Sequence, residues 1–241
     1  MTVEEHLASA LSIATLIDQT LLKPEATSED IARLCGEAVE HSFCSVCVNP
    51  YWVRNAFAAL HGSPVRVCTV IGFPLGANRT AVKTAEARLA LAEGATEIDV
   101  VLNIGALRSG DLALVRDEIA ELAVIAHAGK TLLKVILETC LLSDEQKTQA
   151  CHLAVEAKAD FVKTSTGFSG GGATEIDVRL MRKTVGESIG VKASGGIRSL
   201  DALRRMVAAG ANRIGTSSGV QILREFREGA AVVVDGKTGT Y

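Results

Sequence analysis

Phe161-Val162-Lys163-Thr164-Ser165-Thr166-Gly167-Phe168 reads as a short apolar strand that carries a lysine and runs into a Ser/Thr/Gly loop. Ala173-Thr174-Glu175 then opens a helix. Gly190-Val191-Lys192-Ala193-Ser194-Gly195-Gly196 repeats the strand and its small-residue loop. Strand, loop, helix and next strand form one unit, and the same unit recurs along the chain. Strands are predicted around Ile13–Ile17, Phe43–Val48, Val65–Ile71, Glu97–Leu102, Leu132–Leu137, the Lys163 and Lys192 segments, and Arg213–Thr216. They are near-continuous apolar runs, as parallel strands covered on both faces are. Helices fall between them, several announced by capping residues such as Thr27, Ser143 and Ser199.

Eight such units favour a closed barrel over an open doubly wound sheet. No GxGxxG follows the first strand, where Asp18-Gln19-Thr20-Leu21 stands instead. The expected architecture is a single (β/α)8 TIM barrel spanning 1–241. An extra N-terminal helix would occupy 1–12, and a flexible C-terminal tail 229–241. In such barrels the site is built at the C-terminal ends of the strands.

The 241 residues are 48% hydrophobic and 22% charged, enough for a sizeable core without metals or disulfides. A net charge of -3 gives no basic field for nucleic acid or an anionic membrane. No apolar run reaches membrane-spanning length, and the first residues lack a basic secretory n-region. With six scattered cysteines, this points to reduced thiols and a cytoplasmic protein. Cys44 and Cys47 have CxxC spacing. In a strand, residues three apart point to opposite faces, so no metal site is expected there.

The strand ends bring Asp18, Cys47, Asp99, Lys134, Glu138, Lys163 and Lys192 towards one another. A lysine amine is nucleophilic only when unprotonated, and its ordinary pKa lies far above neutrality. A second ammonium and partial desolvation both disfavour the charged form. Two lysines on adjacent strands with an inward acid therefore suit imine chemistry better than an inert ion cluster. Lys134 reads equally as a site residue or an ion-pair partner, with Glu138 neutralising it. Asp18 reads as a mouth residue after strand one, and Cys47 as a small core residue. Arg198 reads as a solvated charge. The glycine-rich Ser194-Gly195-Gly196 loop and Thr216-Ser217-Ser218-Gly219, ahead of a helix, form the expected phosphate pocket.

Five segments together resemble one family. They are Leu16–Leu22, Glu97–Val101, Leu133–Thr139, Lys163-Thr164-Ser165-Thr166-Gly167 and Lys192-Ala193-Ser194-Gly195-Gly196-Ile197-Arg198. They are similar to the deoxyribose-phosphate aldolases over nearly the whole chain. The resemblance implies a class I aldolase of deoxyribonucleotide catabolism, without metal or other cofactor. It would reversibly cleave 2-deoxy-D-ribose 5-phosphate to D-glyceraldehyde 3-phosphate and acetaldehyde. Lys163 matches the Schiff-base lysine, Lys192 its perturbing partner, and Asp99 the acid acting through water. Tyr241 matches a C-terminal tyrosine implicated in proton exchange. Asp18, Thr20, Cys47, Lys134, Thr166, Gly167, Gly195, Gly196, Ser217 and Ser218 are expected around the substrate. A homodimer fits the family. Rival readings are a transaldolase-like Schiff-base barrel, a phosphate-binding isomerase without an imine, and a non-catalytic sugar-phosphate-binding barrel.

Overall fold

The computed structural model describes residue 7 and residues 9–235, with side chains through residue 229. Eight parallel strands close into a barrel in sequence order. They are β1 (Ile17–Leu21), β2 (Ser45–Val48), β3 (Arg66–Ile71), β4 (Glu97–Val101), β5 (Leu132–Ile136), β6 (Phe161–Lys163), β7 (Gly190–Ser194) and β8 (Arg213–Thr216). Helices α1 (Ala10–Ala14), α2 (Ser28–His41), α3 (Val53–Ala59), α4 (Thr80–Ala92), α5 (Ile104–Arg108), α6 (Leu112–Ala128), α7 (Asp144–Glu156), α8 (Glu175–Val185), α9 (Leu200–Ala208) and α10 (Gly219–Asp235) accompany them. Thr27, Ser143, Thr174 and Ser199 cap α2, α7, α8 and α9 through their side-chain oxygens. No helix among the described residues is long and apolar enough to cross a membrane.

Three boundaries differ from expectation. Ile13 and Ala14 belong to α1, which ends at Thr15, so β1 starts only at Ile17. Asp18, Gln19 and Thr20 are thus strand residues and not the loop after it. A polar Asp-Gln-Thr run reads as a strand end unless its buried partners are known, and those partners lie on other strands. The helix before β1 covers Ala10–Ala14, and residues 1–6 of the expected N-terminal helix lie outside the described residues. The last helix runs to Asp235, past the expected tail boundary at 229. Gly229 weakens a helix interior by only about 1 kcal/mol and does not end it.

Alternation along the strands separates two environments. Val46, Ile98, Val100, Leu133, Val135, Val162, Val191 and Ile214 are buried in the main apolar core. A small second cluster, Cys47, Cys68, Val70 and Leu22, is separate from it. The lumen also carries a large polar cluster: Asp18, Ser45, Glu97, Asp99, Lys134, Lys163, Lys192 and Arg213 are all buried. Barrel interiors are ordinarily filled by layers of branched apolar residues. Here charges take their place.

β4, which carries Asp99, is tied to the helix layer by another buried pair. Lys83 Nζ on α4 donates to Val101 O at 2.9 Å and to Glu118 Oε1 on α6 at 2.5 Å. Thr80 Oγ1 donates to Glu118 Oε2. Removing one partner of such a pair strands a charge in the core. Glu118→Ala is expected to destabilise the fold by about 3–5 kcal/mol, read as a lower urea midpoint at unchanged slope.

Candidate active site

Asp99 is the junction of the lumen. Its Oδ1 accepts from Lys134 Nζ at 2.8 Å. Its Oδ2 accepts from Lys163 Nζ at 2.8 Å and from Lys192 Nζ at 2.7 Å. Strand register explains the convergence. Lys163 is level with Lys192 on β7, and Asp99 with Lys134 on β5.

The contacts continue into a closed ring of alternating charge. Lys192 Nζ lies 2.6 Å from Asp18 Oδ2. Arg213 Nη1 donates to Asp18 Oδ1 at 2.7 Å and to the two Glu97 oxygens at 3.0 and 3.2 Å. Glu97 Oε2 lies 2.5 Å from Lys134 Nζ, which returns to Asp99. Ser45 Oγ donates to Asp18 Oδ1, and Arg66, half exposed, reaches Glu97 from outside. The ring holds three carboxylates (Asp18, Glu97, Asp99) and three cations (Lys134, Lys192, Arg213). Lys163 is attached to it through one shared Asp99 oxygen.

The ring sets its own protonation. Burial pushes Asp99 towards the neutral acid, but Lys134, Lys163 and Lys192 outweigh it and hold the carboxyl well below the usual range. Burial opposes ionisation of Asp18 too, and Lys192 and Arg213 overcome it. Burial disfavours the Lys192 ammonium, yet Asp18 and Asp99 raise it above its ordinary value. Lys134 is raised likewise by Asp99, against its burial.

Lys163 also borders a cavity of about 290 Å³ at the C-terminal mouth. Thr20, Lys23, Thr166, Gly167, Phe168, Gly195, Gly196, Arg198 and Ser217 contribute to its wall. Gly195 and Gly196 have φ of +90° and +80°, a backbone that side chains resist. Phe168 meets Phe73 edge-on at 5.2 Å. A larger hollow of about 510 Å³ lies around Arg66, Thr96 and Lys130, towards the N-terminal ends of the strands and away from Lys163.

A lysine amine at the floor of such a mouth is the arrangement that imine-forming enzymes need. Residues 12–227 match the model of the DeoC/LacD family of aldolases. The chain belongs to that aldolase family. It is 64% identical to a deoxyribose-phosphate aldolase of Brevibacillus brevis over 207 residues, 86% of this chain and 93% of that one. It is 57% identical to one from Bacillus cereus over 220 residues, 91% and 98% of the two chains. A solved deoxyribose phosphate aldolase from Aeropyrum pernix, described as tetrameric, superposes with a TM-score of 0.88 at 37% identity, covering 93% and 95%.

In this aldolase the expected site residues divide into two layers. Thr20, Thr166, Gly167, Gly195, Gly196 and Ser217 line the mouth cavity with Lys163. Asp18, Cys47 and Lys134 do not: they are fully buried in the lumen below it. Asp18 was expected at the mouth, but β1 begins four residues later than its apolar run suggests. Ser218 lines a separate hollow beside Glu37 and Arg224, and its N–H donates to Thr216 Oγ1. Glu138 does not neutralise Lys134. Its buried carboxylate accepts from Thr166 N–H, Thr166 Oγ1 and Ser169 Oγ, bracing the loop after β6. Tyr241 lies outside the described residues.

Arg198 is exposed, as a solvated charge is expected to be, and also contributes to the cavity wall. Arg213, Glu97 and Ser45 were missed. Arg213 opens β8 and Glu97 opens β4, positions where a charge ordinarily faces solvent. The available signal was the spacing of Glu97 and Asp99, which places both on one face. Cys47, Cys68 and Asp99 lie close enough together to suggest a metal centre. The chemistry of the donors argues against it: three ammonium groups already occupy Asp99, and burial pushes the Cys68 thiol well up, away from the thiolate. Cys44, the other half of the CxxC spacing, is not in that group.

Asp18 and Asp99 ionise more readily folded than unfolded. Their stabilisation is therefore complete above about pH 4 and is lost as pH falls towards their folded values. Lys134 and Lys192, shifted upward, keep their contribution throughout that acid range. The urea midpoint is expected to fall steeply below about pH 4. Asp18→Asn should start lower at neutral pH and fall less steeply.

Proposed function

We propose that this protein is a class I aldolase that reversibly cleaves 2-deoxy-D-ribose 5-phosphate to D-glyceraldehyde 3-phosphate and acetaldehyde. The observation that carries the reading is the surplus cation. Four buried cations face three carboxylates, and Lys163 alone shares a single oxygen and borders the cavity. A cluster with one positive charge too many sheds a proton most easily from its least-compensated member. That member is Lys163. Lys192 contributes by occupying the same Asp99 oxygen while Asp18 keeps it an ammonium.

The Lys163 amine attacks the C1 aldehyde of the open-chain sugar, and loss of water gives an iminium. Electrons of the C2–C3 bond flow into that iminium, cancelling its charge and leaving an enamine. At the same step the C3 hydroxyl must lose its proton. Asp99, reached through a water, is the acceptor we assign. While three cations surround it, it is a poor base. As the iminium becomes a neutral enamine, one of the three vanishes, and the carboxylate gains basicity when it is needed. Net charge in the lumen is conserved across the step. Protonation at carbon and hydrolysis then release acetaldehyde and the amine, with Tyr241 proposed for that proton exchange.

The phosphate belongs at the opposite end of the cavity, on the Gly195 and Gly196 amides with Lys23 and Arg198 at the wall. Anchoring there sets C1 against Lys163, so binding energy remote from the reacting bond orients it. The reaction draws on no metal. We place the protein in the cytoplasm, in keeping with its free thiols, and expect a homodimer.

Borohydride with deoxyribose 5-phosphate is expected to inactivate the enzyme irreversibly and to add mass to the Lys163 peptide. Lys163→Met should be neither active nor tagged. EDTA should leave the rate unchanged. A tag on another residue, or none, would overturn the imine reading, and loss of activity in EDTA would point to metal-assisted chemistry.

A further inference from the structure

We propose that Arg213 is a positioning residue of the aldol reaction: by bridging Asp18 and Glu97 it completes the ring and makes Lys163 the surplus cation. The inference rests on the Schiff-base reading of Lys163.

Arg213 is 6% exposed and level with Lys192 across the β7–β8 pair. Its guanidinium carbon stands 5.4 Å from the centroid of Phe161, two residues before Lys163 on β6. It is absent from the cavity wall, which Gly215, two residues further along β8, does reach. Whatever it does for the reaction, it does through Asp18 and Glu97.

Its charge decides which lysine is spare. With Arg213 present, Asp18, Glu97 and Asp99 are neutralised by Arg213, Lys134 and Lys192. Without it, the same three carboxylates face Lys134, Lys192 and Lys163, and no ammonium is in excess. Lys163 would then be retained as a cation, unable to attack a carbonyl. Arginine suits the position because it cannot give up its proton, so the surplus cannot settle there.

The other ionisable groups around Lys163 do not supply an alternative. Asp99 faces it from β4, Lys192 from β7 and Lys134 from β5, with the Cys47 and Cys68 thiols on β2 and β3, and Lys23 and Arg198, which share its cavity wall, are exposed to the screening of water. Arg66 reaches Glu97, but half of it is in water, which screens its charge.

The test is the pH dependence of kcat/KM, which reports the free enzyme. On the Schiff-base reading, activity is expected to rise with pH as an amine nucleophile is freed. Arg213→Gln removes a positive charge, so the amine holds its proton to higher pH and the rising limb moves up by about one unit, the effect of one charge a few contacts away at an effective dielectric of ~20. Glu97→Gln removes a negative charge and moves the same limb down. Arg213→Lys keeps the charge and moves the limb less than Arg213→Gln. A folded Arg213→Gln enzyme slowed equally at every pH would overturn the proposal, since that is what lost structural support alone produces. Should that variant not fold, a Glu97→Gln limb that stays in place overturns it instead. Borohydride trapping of the wild-type enzyme separates the two claims. A Lys163 tag with an unmoved limb sinks the role of Arg213 alone. Absence of the tag sinks the imine and, with it, this inference.

Discussion

Asp99 holds three ammonium groups in the lumen of the barrel, and the rest of the structure follows from making that tolerable. Burying ions costs several kcal/mol each unless geometry returns it. The return comes from closure. Each ring carboxylate contacts two ring cations, and each ring cation two carboxylates. The barrel makes closure possible because β4, β5, β7, β8 and β1 present inward side chains at matching heights. An open sheet would bring adjacent strands together but could not return β8 to β1.

The ring also gives Lys163 a different electrostatic setting from Lys134 and Lys192, which are the same residue type in the same lumen. Proximity of a second lysine is not enough to distinguish them, since each has ammonium neighbours. What separates them is the share of negative charge. Lys134 has Glu97 and one oxygen of Asp99, Lys192 has Asp18 and part of the other, and Lys163 has only the remainder. The lysine with the weakest claim is also the one that borders the mouth cavity. On the proposed imine reading, reactivity and access coincide at one side chain, while their carboxylate partners raise the more deeply buried Lys134 and Lys192 above their ordinary values.

Much of this was legible in the sequence. Eight apolar strands with intervening helices gave the barrel, and Lys163, Lys192 and Asp99 stood out because a charge between branched apolar residues needs a partner. The register between distant strands was not legible. Asp18 sits in Asp-Gln-Thr, a polar run that alone looks like a turn, and only Lys192 and Arg213, far along the chain, make it a strand residue. Arg213 and Glu97 open their strands, where charges usually meet solvent. Glu138 was assigned to Lys134 by proximity in sequence, whereas its side chain turns to the loop after β6. Local pattern locates the chemistry, but the partner of a buried charge is a property of the closed barrel.

The division between lumen and mouth bears on how the site can vary. The lumen residues are mutually dependent: changing one ring charge alters the proton balance of all the others, however far they lie from substrate. The mouth residues stand at the ends of β1, β6, β7 and β8 and on the loops after them, and contribute mainly backbone amides, hydroxyls and exposed cations. Exchanging Phe168 or Lys23 changes what can enter without changing the charge count below. On the proposed reading, the amine is prepared by a closed electrostatic unit, and the partner it reacts with is selected by a separable one. This is a physical route by which one barrel core can keep its carbonyl chemistry while its loops adapt to different phosphorylated or unphosphorylated aldehydes.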